Sequence, residues 1–99
     1  MKYKITGKFC NNFISQTLGL MFRTPQVMIF PLPISMKIQI HTWFVFGAIN
    51  VYFLDKNKRI LEMVKNLKPF RFYTSSKECR WIVETPTNVS FKVGDVLEF

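Results

Sequence analysis

The sequence predicts a mainly β domain (β-rich α+β): a small antiparallel barrel or sandwich with one short helix near the N-terminus. Its apolar residues are chiefly β-branched and aromatic, with 11 Phe and a single Ala among 99 residues. A helical bundle would show the opposite balance. Short apolar stretches are also separated at regular intervals by turn-forming residues, which is the pattern of consecutive short strands.

The first third of the chain predicts two strands with a helix between them. Residues 2–6 alternate and predict the first strand. Asn11 or Asn12 can cap the short helix, whose apolar stripe runs to about residue 21. Residues 27–33 (VMIFPLP) predict a second strand that two prolines bring to an end, since proline lacks the amide that a central ladder requires.

The chain is organised around residues 41–55, which we interpret as two core strands meeting at a bend on Gly47 and Ala48. The first strand covers residues 35–46, and 48–54 is its partner. Alternation predicts that Ile38 and Ile40 point into the core, while Lys37, Gln39, His41 and Trp43 point the other way.

The remaining elements follow from turn signals and alternation. They are a turn at 55–58, a return strand at 59–64, a loop at 66–69, an extended piece at 70–73, a strand at 80–84, an irregular segment or a single helical turn at 85–91, a turn at 93–95 and a closing strand at 96–99. No repeat or linker interrupts them, so we expect residues 1–99 to form a single domain.

The formal charge is +8, from 14 basic and six acidic residues. Such a surplus favours anionic partners, including nucleic acid. The basic residues are scattered rather than blocked, however, and scattered lysine also keeps the edges of a soluble β domain from pairing with other chains. Composition leaves both interpretations open.

Three features predict a cytoplasmic protein without a membrane span. The N-terminus lacks the apolar region of a secretory signal. Residues 38–54 carry no charge, but this run of 17 residues contains polar side chains and is too short for a spanning helix. Cys10 and Cys79 form no disulfide framework, so we expect two buried free thiols rather than a bridge.

Ordered sequence blocks resemble those of one known family. They are 19–23 (GLMFR), 28–31 (MIFP), 41–55 (HTWFVFGAINVYFLD), 66–71 (NLKPFR) and 92–95 (KVGD). This pattern is similar to the archaeal-type members of the domain of unknown function 192 family. The resemblance implies a mostly β domain with one short helix, and it implies no activity. Asn50 departs from the family, which usually has Asp there, and Asn cannot act as a general base.

The motifs expected of an enzyme are absent from the sequence. No Ser or Cys stands in a nucleophile elbow, the acidic residues are dispersed, and neither glycine-rich nucleotide motif occurs. One His and two Cys do not have the spacing of a zinc site. We therefore predict no catalytic residues, no metal and no cofactor, and we favour a non-enzymatic role.

The leading hypothesis is binding of a small anionic or polar ligand at a rim. The predicted ligand-binding residues are Arg23, His41, Trp43, Asn50 and Arg71. Arg presents a planar fork to carboxylate or phosphate, although each Arg could instead pair internally with Glu84 or Asp95, and His41 could be a packed structural residue.

The alternative hypothesis is a nucleic-acid-binding module that uses the basic surface and exposed aromatic residues. Residues 70–73 (FRFY) and 80–81 (RW) have a suitable composition. Because neighbouring residues of a strand face opposite ways, at least half of these aromatic side chains should belong to the core.

Overall fold

The computed structural model describes residues 1–9, 27–41, 47–68 and 71–99, and these residues confirm a mainly β, largely antiparallel protein. Nine strands lie in this part of the chain: β1 (Lys2–Lys4), β2 (Lys8–Phe9), β3 (Met28–Met36), β4 (Gln39–His41), β5 (Ile49–Leu54), β6 (Ile60–Leu67), β7 (Phe72–Thr74), β8 (Cys79–Pro86) and β9 (Val96–Glu98). None of the described residues is helical, and the helix predicted after Asn11 falls outside them. Within the same ranges, no helix is long and apolar enough to cross a membrane.

The main sheet has five strands in the order β2-β3-β8-β5-β6. Only the short β2–β3 pairing is parallel. All six residues of β5 are buried, because both faces of this central strand are covered. Its sequence, INVYFL, is accordingly apolar on both faces, apart from one Asn. The predicted buried strand after the Gly47 bend is therefore confirmed.

We call the face of the main sheet that bears Tyr52 and Leu54 the concave face, and the opposite face the convex face. A bridge between Arg59 and Val96 joins β6 to β9, which pairs in parallel with β1. One buried cluster draws side chains from these strands and from the main sheet, including Ile29, Tyr52, Leu54, Ile60, Val83 and Leu97, with Tyr3 packed against it. The described strands nevertheless form no closed barrel. A pocket of about 520 Å³ opens beside β1 and β3, lined by Lys4, Ile5, Thr6, Gly7, Ile29, Glu98 and Phe99.

The convex face of the sheet is covered by a separate two-stranded sheet, β4–β7. Side chains at the centre of this second cluster come from β3, β5 and β8; they include Met28, Phe30, Val51, Phe53, Cys79 and Ile82. Ile38, Ile40 and Tyr73 pack onto this cluster from the covering layer. The predicted inward direction of Ile38 and Ile40 is thus confirmed, and Lys37 and Gln39 are exposed.

Several predicted strand limits were wrong, and two of these errors change how the strands pair. Strand β3 does not end at the prolines but runs through Pro31 and Pro33 to Met36, and its pairing with β8 shifts register between Pro31 and Met36. The shift lets the strand continue where the prolines supply no amide. The predicted strand 35–46 is interrupted at residues 37–38, and β4 pairs with β7 rather than with β5.

The predicted turn after β5 is confirmed in detail. The Asp55 carboxylate accepts hydrogen bonds from the amides of Asn57 (2.8 Å) and Arg59 (3.0 Å). Lys58 adopts a left-handed conformation with φ 65°. The return strand β6 then extends to Leu67, three residues beyond its predicted end at Val64, and includes Asn66 at φ 57°.

Cys79 is a buried free thiol, as predicted, while Cys10 lies outside the described ranges. Burial, together with the nearby negative charge of Glu62, raises the pKa of the Cys79 thiol to about 11. The thiolate, which is the reactive form, is therefore scarce at neutral pH.

Gly7, which connects β1 to β2, lies closely against Val27, and this contact gives a first prediction. A Cβ at this position would lie 2.6 Å from Cγ1 and 2.9 Å from the carbonyl oxygen of Val27. We expect Gly7→Ala to lower the free energy of unfolding by roughly 1–3 kcal/mol, because Val27 must move to admit the methyl group. Urea denaturation measures this, with Thr6→Ala at the exposed neighbouring position as the control. Equal stability of the two variants would contradict the predicted crowding.

Candidate functional site

Glu84 is an acidic residue enclosed at the convex face of the main sheet. It lies on β8, directly opposite Met28 of β3 and Val51 of β5. Both partners are fully buried and belong to the convex-face cluster, and Glu84 itself is only 5% exposed. Because directly opposite residues project from the same face of a sheet, the Glu84 side chain shares this apolar face.

One carboxyl oxygen of Glu84 has no partner. Oε2 is buried and accepts or donates no hydrogen bond within the described structure. Buried polar groups are nearly always paired, so such an oxygen calls for an explanation. Burial raises the pKa of the Glu84 carboxyl to about 8. The group is consequently protonated for the most part at neutral pH.

A protonated carboxyl at this position can both donate and accept a hydrogen bond. It offers one O–H donor and an acceptor oxygen, whereas a carboxylate only accepts. It can thus donate a hydrogen bond to an anionic oxygen that a charged Glu would repel. Strongly perturbed acids in enclosed positions are concentrated at functional sites, although structural groups also show such shifts.

Asn50, one of the predicted ligand-binding residues, lies on the opposite, concave face. It is 3% exposed and pairs with Thr85 of β8, one residue along from Glu84. Its Nδ2 donates to the carbonyl oxygen of Val89 at 2.7 Å, and its Oδ1 accepts from the amide of Asn66 at 2.9 Å. Both ends of this amide are therefore engaged in holding β5 to the loop after β8 and to the left-handed residue in β6.

Tyr52 strengthens the same connection. Its hydroxyl donates to the Val89 carbonyl at 3.2 Å and accepts from the Phe91 amide at 3.1 Å. Tyr52 and Phe91 also make an edge-on ring contact, with centroids 5.4 Å apart. The segment from Val89 to Phe91 is thereby fixed to the concave face by polar and apolar contacts together.

The other predicted site residues fall into two groups. Arg23 and Trp43 lie outside the described residues. His41 ends β4 opposite Phe72, and Arg71 is exposed immediately before β7, so these two belong to the covering layer. Whether Arg23, His41 and Trp43 share one opening with Arg71 stays a prediction.

Glu62 anchors the covering layer to the main sheet. Its carboxylate accepts hydrogen bonds from the Tyr73 hydroxyl (2.5 Å), the Ser76 amide (2.8 Å) and the Ser76 hydroxyl (3.1 Å). Partial burial acts to raise the pKa of Glu62, but the hydrogen bonds from Tyr73, Ser76 and Lys77 outweigh it and lower that pKa. The Tyr73 ring stacks on Phe53 with centroids 5.6 Å apart. Glu62 and Glu84 thus lie on the same face of the main sheet, where Glu62 is hydrogen-bonded to the covering layer and one oxygen of Glu84 is unpaired.

Sequence reasoning did not assign Glu84 to the site, although a signal was present. Alternation at 80–84 places Glu84 on the same side as Ile82, and the strand around it is otherwise mostly apolar. A lone acid in phase with core residues is a recognisable anomaly. The sequence did not show that an oxygen of Glu84 would be unpaired, because the same sequence pattern is compatible with an ion pair between Glu84 and Arg23 or Arg71.

Together these observations define a mainly β, largely antiparallel protein with an enclosed, largely neutral acid on the convex face of its main sheet. Residues 2–99 match the DUF192 model, described as Uncharacterized ACR, COG1430, so the chain belongs to the DUF192 family. A UPF0127 protein of Pyrococcus furiosus is 42% identical over 103 residues, which is 97% of this chain and 88% of that protein. Another, from Pyrococcus horikoshii, is 39% identical over 82 residues, covering 80% and 70%. The resemblance seen in the sequence blocks is confirmed.

Two solved structures share the fold. One is a proposed transcription regulator from Sinorhizobium meliloti 1021, with a TM-score of 0.73 and 15% identity. The other is a protein of unknown function from Novosphingobium aromaticivorans, with a TM-score of 0.72 and 18% identity. Each match covers 79% of this chain, which spans only 65% and 60% of the two structures. At these identities the likeness concerns the fold alone.

The Asn50 network gives the second prediction. In Asn50→Asp, a carboxylate oxygen replaces the donor that faces the Val89 carbonyl, so two acceptors oppose each other. We expect a loss of roughly 1–3 kcal/mol in the free energy of unfolding at pH 7, since a buried hydrogen bond is broken and an acceptor is left unpaired. The deficit should shrink at pH 4, where a protonated Asp can donate. Urea denaturation at both pH values measures it, with exposed Asn88→Asp as the control; a stable Asn50→Asp variant would contradict the assigned role.

Glu84 gives the third prediction. A carboxyl whose pKa is higher when folded binds more protons in the folded state, so its contribution to stability falls as pH rises from about 4.5 to about 8. Glu84→Gln keeps the shape and removes the titration. We expect this variant to lose the decline over that window and to be more stable than the parent at pH 9, by up to a few kcal/mol. Thermal or urea unfolding from pH 4 to 9 tests this.

The exposed Glu78→Gln substitution serves as the control for Glu84→Gln, because it removes the same charge without altering a buried group. Its pH–stability curve should keep the decline of the parent. If Glu84→Gln and the parent decline in parallel between pH 4.5 and 8, the buried acid is ionised in the folded protein.

Proposed function

We propose that this protein binds a small anionic or polar ligand, without catalysis, at the convex face around Glu84. The observation that carries the proposal is the buried Oε2 of Glu84, which has no partner among the described residues. Leaving a buried polar group unpaired costs about 1–3 kcal/mol. A ligand oxygen that accepts from the protonated carboxyl would recover this cost.

The protonation state of Glu84 favours ligands with an acceptor oxygen. With a pKa of about 8, the carboxyl holds its proton at neutral pH and can donate it in a hydrogen bond. The overall charge of +8 further favours an anion over a cation. Carboxylate and phosphate groups meet both conditions.

The connectivity of the chain supports including Arg23 and Trp43 in the proposed site. Arg23 precedes Met28, a direct cross-strand partner of Glu84, by five residues. Trp43 precedes Ile49, the first residue of β5, by six residues. A guanidinium group would bind an anionic ligand by paired hydrogen bonds, and an indole would cover its apolar part.

The remaining predicted residues take different parts in the proposal. His41 and Arg71 belong to the layer that covers the convex face, so we retain them at the rim. Asn50 is given a structural part, because both ends of its side chain already make hydrogen bonds on the concave face. The proposed ligand contacts are therefore Glu84, Arg23, Trp43, His41 and Arg71.

Acetate, lactate and inorganic phosphate are suitable probes, titrated into isotope-labelled protein and followed by NMR. We expect shifts at the amides of Val51, Glu84 and Thr85 with at least one probe at pH 6.5. Affinity should fall about tenfold by pH 9, because only roughly one tenth of a group with a pKa of about 8 remains protonated there.

Three variants separate the causes. Glu84→Gln keeps a donor and should bind with little dependence on pH, whereas Glu84→Leu removes the polar group and should abolish binding. Glu78→Gln, at an exposed acid, should bind like the parent. Undiminished binding by Glu84→Leu, or probe-induced shifts confined to other surfaces, would overturn the proposal.

A further inference from the structure

The pocket beside β1 and β3 lies at the edge of the concave-face cluster. Its lining includes Ile5, Ile29 and Phe99, which pack within that cluster. Ile29 is fully buried and closes the inner end, whereas the other two are partly exposed and form the walls. The volume of about 520 Å³ is within the range of small-molecule sites, roughly 300–1,000 Å³. The inner part of the pocket is therefore apolar and large enough for a small molecule.

Phe99 is held in place as one wall of this pocket. Its carbonyl oxygen accepts a hydrogen bond from Lys58 Nζ at 2.7 Å, and the same ammonium lies 4.2 Å from the centre of its ring. The Trp81 ring meets the Phe99 ring edge-on, with centroids 5.1 Å apart. A wall that these contacts already fix does not have to be ordered when a ligand binds, which lowers the entropic cost of binding.

A cation and an anion lie side by side at the rim of the pocket. Lys4 of β1 is the direct cross-strand partner of Glu98 of β9, and both residues line the pocket and are exposed. Directly paired residues project to the same side of a sheet, with their strands about 5 Å apart. Among the residues that the structure describes, neither side-chain charge has an ion-pair or hydrogen-bond partner. Both charges are therefore available to a ligand.

The pocket opens at the end of the β1–β9 pair. Leu97 packs into the concave-face cluster, so alternation turns its neighbour Glu98 away from the cluster and Phe99 back towards it. Lys4 and Ile5 alternate in the same way at the end of β1. Because both sets of side chains line the pocket, a ligand there has apolar groups on its inner side and the two charges on its outer side.

We infer that this pocket binds a free α-amino acid with a large apolar side chain. The side chain enters the apolar inner part, the α-carboxylate lies against Lys4 and the α-ammonium lies against Glu98. An amino acid carries two opposite charges on groups attached to one carbon, which matches two opposite charges about one strand spacing apart. A simple carboxylate or amine would leave one rim charge unused. The pocket borders the concave face, whereas Glu84 lies on the convex face, so this site is independent of the ligand site proposed there.

Titration of isotope-labelled protein with L-leucine, followed by NMR, tests the inference. We expect shifts at the amides of Ile5, Gly7 and Ile29 and a dissociation constant below roughly 1 mM. Glycine has both charges but no side chain, and it should bind roughly 10- to 100-fold more weakly, because burial of a leucine side chain contributes about that factor. 4-Methylpentanoate lacks only the ammonium group and 3-methylbutylamine lacks only the carboxylate. Each should bind roughly three- to tenfold more weakly than leucine.

Matched substitutions separate the two rim charges from the overall charge of the protein. Lys4→Gln should weaken leucine binding roughly three- to tenfold, whereas Lys2→Gln, on the same strand but outside the pocket, should leave it unchanged. Glu98→Gln should weaken it to a similar extent, and Glu78→Gln, at an exposed acid elsewhere, should not. In Lys4→Gln, leucine should bind no more tightly than 3-methylbutylamine, because its carboxylate has lost its partner.

Several results would overturn the inference. One is the absence of shifts around the pocket with leucine at about 10 mM. Another is 4-methylpentanoate binding as tightly as leucine, since the net charge of +8 would then account for the interaction. A third is equal weakening by Lys4→Gln and Lys2→Gln. Glu84→Leu should bind leucine like the parent, and leucine shifts confined to Val51, Glu84 and Thr85 would remove this inference while supporting the ligand site proposed at Glu84.

Discussion

The structure depends on the burial of β5 on both faces. Because this strand lies between β8 and β6 with every side chain enclosed, neighbouring residues along it serve two different cores. Val51 and Phe53 belong to the convex-face cluster, while Tyr52 and Leu54 belong to the concave one. The single polar residue of the strand, Asn50, is tolerated only because both of its functional groups are paired.

The same two-sided arrangement separates a paired polar residue from an unpaired one. On β8, Thr85 faces the concave side and joins the contacts around Val89, whereas Glu84 faces the convex side without a partner for one oxygen. One step along a strand therefore divides a satisfied polar group from an unsatisfied one. A fully satisfied network makes a core rigid and specific, while an unsatisfied acid stores free energy that binding can release.

Much of the fold was accessible from local sequence signals. The buried strand predicted at 48–54 and observed at Ile49–Leu54, the turn beginning at Asp55 and the alternating strand around Ile82 all depend on neighbouring residues, and all were confirmed. The passage of β3 through Pro31 and Pro33 was not predicted, because a register shift with a distant strand accommodates it. The pairing of β4 with β7 and the bridge between Arg59 and Val96 likewise depend on contacts between residues far apart in the chain, which local periodicity does not encode.

The candidate site shows the same division. Alternation in residues 70–73 predicted that at least half of the aromatic side chains would face the core, without showing which ones; in the structure Tyr73 packs against the convex-face cluster and Phe72 is exposed. The importance of Glu84 depended on which face of β8 would be covered and by what, and that is a property of the assembled layers. Asn50 was assigned to a ligand from its residue type, but the carbonyl that it binds belongs to a loop 39 residues later.

The Val89 carbonyl has a consequence for how the domain unfolds. Asn50 and Tyr52 both donate hydrogen bonds to this one oxygen, and the nearby Phe91 amide donates a hydrogen bond to the Tyr52 hydroxyl. A surface loop ordinarily frays at little cost, independently of the core. Here the loop after β8 cannot open without breaking three hydrogen bonds to the central strand. We therefore expect the loop to unfold in the same cooperative transition as the sheet.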